Sequence, residues 1–535
     1  MPTAEDIEHW RAELDRLDAE GKFGEIVASV RSMMNRAPRD TNVVATTSPR
    51  LIDAGTSLDD IALVSEGRRL TEALLRHASD CKTRVIHEYN LSNAFGAEYH
   101  IYQKNDEADK ARESLLAQRK LLQELLLRER SLSLDLRIKV HTNCANALDE
   151  TGRSIEAIDH YIEAWHLDPD HMLAKGNCGV ALARLASVSR NYRLHNLAGA
   201  FALLEEATAN PRKILTYAPP GAVAHLIDKR DEVRTRLEGA LKGGLPRFET
   251  WRTHRQEVHG QPPAPDWLQS LINDRVLLTL NQLPLASRDE TVDDLYFNTL
   301  YSGIDSESEQ YALGQIYLLN AIKEEFAAAR YLYYQAVSPQ SPGELEAVNK
   351  ITTYADPGTL AEFGLAIGLL KTGFRTSVDI LDKIAFFLNA YLKLGHANRK
   401  IYFSTVWYKH SDARKREELP AITAIKERNN WLRALSDLQD DWFADRFPGP
   451  FRELRHTGTH RGLVLFSETE DQEAPSVKTV ADYKIATLLM LRSAKAAITY
   501  LFLLIDAEER ERVRAAKGKT GTRSLKLRPG GKQDE

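Results

Sequence analysis

Residues 138–169 read IKVHTNCANALDETGRSIEAIDHYIEAWHLDP, and this stretch decides the fold of the N-terminal half. Small and large apolar residues recur at helical spacing on both sides of a turn at Gly152, and Pro169 closes the stretch. Small residues let two helices approach each other, and large residues fill the space between them. The stretch therefore predicts a pair of packed helices, with key positions at Ala145, Leu148, Ala157, Tyr161 and Ala164.

The first helix of this pair returns further along the chain. NCANAL begins at Asn143 and NCGVAL begins at Asn177, a spacing of 34 residues. This spacing and these residues resemble the tetratricopeptide repeat (TPR). A more divergent copy, NLSNAF, begins at Asn90. Because one repeat cannot bury its own apolar face, we expect several units, forming a TPR-like helical-repeat solenoid over residues 1–235.

A solenoid of this kind is suited to binding another molecule. Stacked helix pairs expose a concave groove, which suits a protein or peptide partner. The alternative is that the repeats only support the second domain. The recurring asparagines at 90, 143 and 177 either face this groove or hydrogen-bond the neighbouring turn, and the sequence leaves both alternatives open.

Length and composition limit the number of domains, the kinds of partner and the cellular compartment. A chain of 535 residues predicts two or three domains, and a net charge of −5 confines any RNA contact to a local surface. The three cysteines, Cys81, Cys144 and Cys178, match neither a disulfide framework nor a zinc pattern, which is typical of a reducing cytoplasm. The acidic N-terminus does not resemble a signal peptide, and the longest apolar run, near 497–505, is too short for a bilayer.

Helical periodicity dominates the chain, so the predicted fold class is all-α: the solenoid is followed by a helical bundle. Residues 236–300 form a connector or adapter, because prolines and glycines cluster between 210 and 265. The bundle covers residues 301–510, and a basic tail at 511–535 is expected to be disordered. Four long helices are predicted for the bundle, at about 307–337, 359–394, 415–443 and 477–512.

A polar line marks the second of these helices. Arg375, Asp382 and Asn389 are spaced by seven residues and therefore share one face of an otherwise apolar helix. This face either meets water or lines a catalytic cleft.

Between the third and fourth helices the chain reads FRELRHTGTHRG, residues 451–462. Arg455 and His460 are five positions apart, with His456 directly after the arginine. Arginine can grip a phosphate through two oxygens, and histidine exchanges protons near neutral pH. This pair has the chemistry to cut RNA without a metal. The alternative is a polar turn with both side chains in water.

Residues 262–507 resemble the LA2681-like family of HEPN domains, through this R-x4-H motif and through TSVDILDKIAFFLNAYLKLG at 376–395. The resemblance implies that Arg455 binds the scissile phosphate and that His460 is the general acid or base. It also implies supporting roles for His456, Asp382 and Asn389, and RNA-backbone contacts for Arg452 and Arg461. The site is then completed by a homodimer through the HEPN domain, and cleavage requires the ribose 2′-hydroxyl.

Two other site patterns are incomplete. His456 and His460 have a spacing used for zinc on a helix, but no glutamate follows His456 and no third ligand is visible. The Gly518-Lys519-Thr520 stretch resembles a phosphate-binding loop, but Val513 replaces the earlier glycine. We therefore expect no metal and no cofactor.

These observations favour a cytoplasmic, metal-independent endoribonuclease that the TPR-like domain regulates. The resemblance also implies a role as a bacterial toxin or abortive-infection effector against phage. The predicted partners are an RNA substrate, a second copy of the chain, and a protein or peptide in the groove, with no membrane. The alternative is a non-catalytic adaptor in which both domains bind protein.

Overall fold

A computed structural model of the chain describes most of its residues. They are 2–38, 40–188, 192–215, 218, 220–241, 266–282, 293–295, 299–303, 306–338, 342–354, 360–397, 399, 401–410, 417–443, 454, 463–467, 479–515 and 522–526. The chain divides into two compact units. The first contains Met1–Ala147, and the second contains Leu148–Thr469 and Val477–Glu535.

The first unit consists of helices that pack in sequence order. Three of them begin at an aspartate whose side chain accepts hydrogen bonds from the first-turn backbone: Asp40, Asp60 and Asp80. Such caps pair amide groups that have no partner within the helix. The helices are α1 (Ala4–Ala19), α2 (Phe23–Arg36), α3 (Thr41–Ser57), α4 (Ile61–His77), α5 (Cys81–Lys104), α6 (Ala108–Leu127) and α7 (Leu134–Asp149), with a 3-10 helix at Glu129–Ser131.

Small residues allow α3 and α4 to pack closely. A Cβ atom at Gly67 would lie 2.8 Å from the Ser48 carbonyl oxygen, so only glycine fits there. The Asn143 side chain on α7 donates to Asn93 Oδ1 at 2.9 Å and to the Tyr89 hydroxyl at 3.1 Å, both on α5. Of the two alternatives for the asparagine ladder, Asn143 therefore makes the hydrogen bond to a neighbouring helix.

The second unit begins with further helix pairs, as helical repeats do. Helix α9 packs against α8 and α10, and α10 packs against α12. The thiols of Cys144 on α7 and Cys178 on α9 are buried, which agrees with their predicted packing role. The helices are α8 (Ser154–Leu167), α9 (Met172–Ala186), α10 (Arg193–Ala209), α11 (Pro211–Leu215) and α12 (Pro220–Leu241). Pairing is observed throughout the described N-terminal part, whereas the TPR class itself stays a prediction.

The rest of the second unit is a helical bundle. Helix α14 packs along α16, and α19 packs against α14, α16 and α18. A Cβ atom at Gly373 on α16 would lie 3.1 Å from the Ala329 carbonyl oxygen on α14, so the glycine permits this close approach. The helices are α13 (Asp266–Asn273), α14 (Ser306–Val337), α15 (Pro342–Ile351), α16 (Leu365–Tyr391), α17 (Pro420–Arg428), α18 (Asn430–Phe443) and α19 (Val480–Ala515).

The structure is mostly helical, which confirms the predicted fold class. One predicted helix, 415–443, is instead two helices, α17 and α18. Asn429 between them is extended, with φ −131° and ψ 99°, and its side chain accepts a hydrogen bond from the Trp431 amide of α18. An asparagine that caps the next helix therefore interrupts the apolar pattern.

Two small antiparallel sheets were not predicted. Strand β1 (Thr299–Gly303) pairs with β4 (Thr522–Lys526), and β2 (Ala361–Glu362) pairs with β3 (Leu465–Phe466). Strand β4 and the last turn of α19 lie within 511–535, so these parts are regular structure where the sequence predicted disorder. The predicted domain boundaries differ from the division after Ala147, and they stay predictions.

Buried charges join α8 to the bundle. Arg153, which is 1% exposed, forms ion pairs with Glu156 of α8 and with Asp437 and Asp441 of α18. These partners neutralise a guanidinium that would otherwise be costly to bury. The N-terminal end of α8 is thereby fixed to the helix that precedes the predicted motif.

A second group of charges fixes α8 to α19. Asp159 of α8 contacts Lys495 of α19 at 2.6 Å and Arg275 at 2.8 Å. One turn further along α8, Glu163 contacts Arg492 of α19 at 2.6 Å. Helix α19 is long and apolar enough to cross a membrane, but 83% of its most apolar window is buried inside the protein.

Candidate functional site

The predicted catalytic motif lies between α18 and α19 along the chain. Leu454 is the one residue of 451–462 that the structure describes; it is helical and buried, 5% exposed. The predicted roles of the other motif residues stay predictions, because these residues lie outside the described part of the chain: Arg452, Arg455, His456, His460 and Arg461.

The chain directly after the motif is attached to the beginning of α16. Strand β3 pairs with β2, which precedes α16 by two residues. The Ser467 amide donates to the Leu360 carbonyl oxygen at 2.9 Å. Lys371, two turns into α16, donates through Nζ to the Leu463 carbonyl oxygen. Three residues after His460, the chain is therefore held against the N-terminal half of α16.

Two cations lie next to each other on this half of α16. Lys371 is half-buried and Arg375, one turn later, is exposed. Burial lowers the pKa of Lys371, and the neighbouring Arg375 charge lowers it further. Within the described residues, neither cation forms an ion pair with a carboxylate, whereas Lys383 on the same helix pairs with Glu325 of α14. This half of α16 therefore carries two cations without an ion-pair partner among the described residues.

The two other members of the predicted polar line bind backbone. Asp382 Oδ1 accepts a hydrogen bond from the Phe403 amide at 2.9 Å. Asn389 makes two bonds to His396: its Oδ1 accepts from the amide at 2.9 Å, and its Nδ2 donates to the carbonyl oxygen at 3.1 Å. Both side chains thus hold the segment that follows α16. Their predicted supporting roles in catalysis stay predictions.

That segment is itself well packed. Trp407 is fully buried and donates through Nε1 to the Phe403 carbonyl oxygen at 2.6 Å. His396 Nε2 lies 3.0 Å from the Val406 carbonyl oxygen. The bonds of Asp382 and Asn389 attach the described part of the segment to the C-terminal half of α16.

Sequence reasoning missed an aromatic pair beside β2. The rings of Tyr354 and Phe363 stack at 6.1 Å between centroids with an interplanar angle of 16°. Each residue is 47% exposed. The sequence carries no periodic signal for this pair, because its members precede α16 and belong to no common helix.

Among the residues that the structure describes, no group of three or more His, Cys, Asp or Glu side chains has a geometry that could hold a metal ion.

Comparison with known proteins identifies the bundle. Residues 308–508 match the family model of LA2681-like HEPN domains, and this range contains the R-x4-H motif and all of α16. A comparison with curated proteins finds no match. The match covers less than half of the chain and most of the bundle from α14 to α19. Residues 308–508 are therefore an LA2681-like HEPN domain.

Proposed function

We propose that this protein is a metal-independent endoribonuclease of the HEPN class. The observation that carries the proposal is that residues 308–508, which match the HEPN family, include a complete R-x4-H motif at 455–460. HEPN domains often have ribonuclease activity. The cations Lys371 and Arg375 support the proposal, because an RNA substrate is a polyanion.

The proposed reaction is an internal transesterification. The ribose 2′-oxygen attacks the adjacent phosphorus and loses its proton to a base, while the bond from phosphorus to the 5′-oxygen breaks and that oxygen receives a proton. The products are a 2′,3′-cyclic phosphate and a 5′-hydroxyl. In this scheme His460 transfers a proton, and Arg455 stabilises the negative charge on the phosphate. His456 supports the pair, and Arg452 and Arg461 contact the RNA backbone.

One R-x4-H pair supplies too few groups to be base, acid and phosphate clamp together. Two pairs related by a two-fold axis supply all of them, and two-fold dimers are the commonest oligomers. We therefore include a homodimer through the HEPN domain in the proposal. Light scattering on the full chain tests it: a strict monomer with full activity would contradict the composite site.

The biological part of the proposal concerns the N-terminal helix pairs. We propose that they bind a protein or peptide that controls cleavage, and that the cytoplasmic enzyme acts as a toxin or anti-phage effector. The ion pairs between α8 and α19 support a link between helix pairs and HEPN domain. Growth arrest on overexpression, lost in a His460→Ala variant, is the expected result in cells.

The direct test uses the purified full chain and total RNA in the presence of EDTA. We expect cleavage by the wild-type protein and none by His460→Ala, because removing a positioned acid–base group costs about 10² to 10⁴ in rate. His225→Ala, at an exposed histidine of α12, is the matched control and should cleave normally. If His460→Ala cuts RNA at the wild-type rate, the motif is structural and the adaptor alternative replaces this proposal.

A further inference from the structure

A surface at the beginning of α16 combines positive charge with exposed aromatic rings. We call it the α16 entry surface and define it by Tyr354, Phe363, Lys371 and Arg375. Residues four apart on a helix have Cβ atoms about 5–6 Å apart, so the two cations are close enough to act on the same strand of a polyanion. Within the described residues both lack a carboxylate partner, unlike Lys383 two turns after Arg375.

The aromatic pair adds a second kind of contact. Tyr354 and Phe363 are stacked on each other and are each about half exposed, so each ring keeps part of its surface open to solvent. Aromatic faces bind nucleic-acid bases that are not stacked in a duplex. The combination of backbone cations and exposed aromatic rings is typical of proteins that bind single strands.

The α16 entry surface is attached directly to the chain that follows the motif. Lys371 hydrogen-bonds Leu463, and β2, which follows Leu360 and precedes Phe363, pairs with β3. Lys371 and β2 therefore both contact the chain that continues from the motif, at residues 463–466.

We propose that the α16 entry surface binds an unpaired segment of the RNA substrate, with Lys371 and Arg375 holding phosphates and the Tyr354–Phe363 pair stacking on a base. The inference rests on the proposed ribonuclease function and adds a binding site outside the R-x4-H motif. Its consequence is a preference for single-stranded RNA, because the bases of a duplex are not available for stacking.

The local electrostatics agree with a phosphate ligand. Burial lowers the pKa of Lys371, and the neighbouring Arg375 charge lowers it further; an anion between the two cations would relieve the second of these effects. Two carboxylates near this surface are exposed, Glu362 on β2 and Asp379 one turn after Arg375. Their negative charge would repel a phosphate and weaken its binding. Their presence gives an internal check: Glu362→Gln should strengthen binding while the cation variants weaken it.

The first experiment measures binding in a His460→Ala background, so that cleavage does not consume the RNA. Anisotropy of a fluorescent single-stranded RNA is followed against salt concentration. For single strands the slope of log K against log salt is about 0.7 per phosphate contact. Lys371→Gln with Arg375→Gln should therefore lower the slope by about 1.4, whereas the matched control Lys383→Gln should leave it unchanged. Arg375→Gln alone, at an exposed position, should lower it by about 0.7.

The second experiment tests the rings. Phe363→Leu with Tyr354→Leu keeps apolar contact but removes the faces for stacking. Loss of one base–aromatic contact should weaken binding of single-stranded RNA about 5- to 150-fold. Binding of a duplex of the same sequence should stay weak in both proteins.

The outcomes separate this inference from the proposed function. Unchanged salt slopes and unchanged affinity in the variants, with His460-dependent cleavage intact, would overturn the inference alone. The inference is also overturned if the wild-type protein prefers duplex RNA, or if the variants change the mass in light scattering instead of RNA affinity, which would indicate a protein interface. Absence of cleavage by the wild-type protein would overturn the proposed function itself.

Discussion

Lys495 of α19 is 2% exposed, and its Nζ lies 2.6 Å from Oδ2 of Asp159 on α8. Burial alone would raise the pKa of Asp159, but Lys495 and Arg275 outweigh burial and lower it. The pair joins a helix of the N-terminal pairs to the central helix of the HEPN domain.

Removing one partner of the pair should be costly. Asp159→Leu leaves Lys495 and Arg275 without their shared carboxylate, and we expect a loss of about 3–5 kcal/mol in the free energy of unfolding. Asp159→Leu with Lys495→Met should lose less than Asp159→Leu alone, because one buried charge is removed as well. Denaturant unfolding measures both. Glu232→Leu, in an exposed pair with Lys229, is the control, with an effect of about 1 kcal/mol or less.

A chain that begins at Leu148 should fold, whereas a chain that begins at residue 236 should not. The shorter chain lacks α8, so Arg492 and Lys495 lose the carboxylates of Glu163 and Asp159 on a buried helix. Circular dichroism melts of the two chains measure this difference. A cooperative melt of residues 236–535 near the temperature of the full chain would instead support the boundary that the sequence predicted.

Stability at acid pH should depend on Glu129 in the first unit. Burial alone would raise its pKa, but His141 and Arg137 on α7 outweigh burial and lower it to about 2. Because the pKa is lower in the folded state than the value of 4.5 expected for the unfolded chain, ionised Glu129 stabilises the fold fully at pH values above 4.5. This stabilisation is lost as the pH falls from 4.5 toward 2. Glu129→Gln should therefore be less stable than wild type at pH 7, with the difference shrinking between pH 4.5 and 2. Glu8→Gln, at an exposed site on α1, should show no such convergence.

Asn389 allows a structural role and a catalytic role to be distinguished. Asn389→Leu removes two hydrogen bonds to the His396 backbone, each worth about 0.5–1.5 kcal/mol, and should lower the melting temperature. If the side chain only positions this segment, the rate per folded molecule should stay close to wild type. A large loss of rate at an unchanged melting temperature would support the catalytic role.

Arg455→Lys should be severely impaired in RNA cleavage, because lysine keeps the charge but loses the planar two-point contact with phosphate. The thermal melt should stay close to wild type if the side chain lines an open cleft. The activity of the purified variant on total RNA measures this, with Arg433→Lys, at an exposed position of α18, as the control. A variant that cleaves at the wild-type rate would exclude a bidentate role for Arg455.

Much of the helical architecture could be predicted from local sequence. The aspartates 40, 60 and 80 each precede a helix and cap it through their own side chains, so the information is contained within four residues. The apolar periodicity of α14 and α16 likewise determines which face of each helix is buried. The R-x4-H motif was also recognised from sequence, because it spans only six residues. The surrounding HEPN domain was recognised because its sequence resembles that of a known family.

Only the tertiary structure decided which charges are buried and what they contact. In the sequence Asp159 and Lys495 resemble surface residues, and their pairing depends on a contact between helices that are 336 positions apart. The partner of Asn389 is likewise not apparent from the sequence, because the His396 backbone meets this side chain only after the chain turns at Gly395. The pairing of β2 with β3, which follows the motif, also depends on the tertiary structure. Periodicity is a property of residues that are neighbours in the sequence, so the sequence alone determined the helices. The burial of a charge and the pairing of distant strands depend on how whole helices pack, so only the tertiary structure decided them.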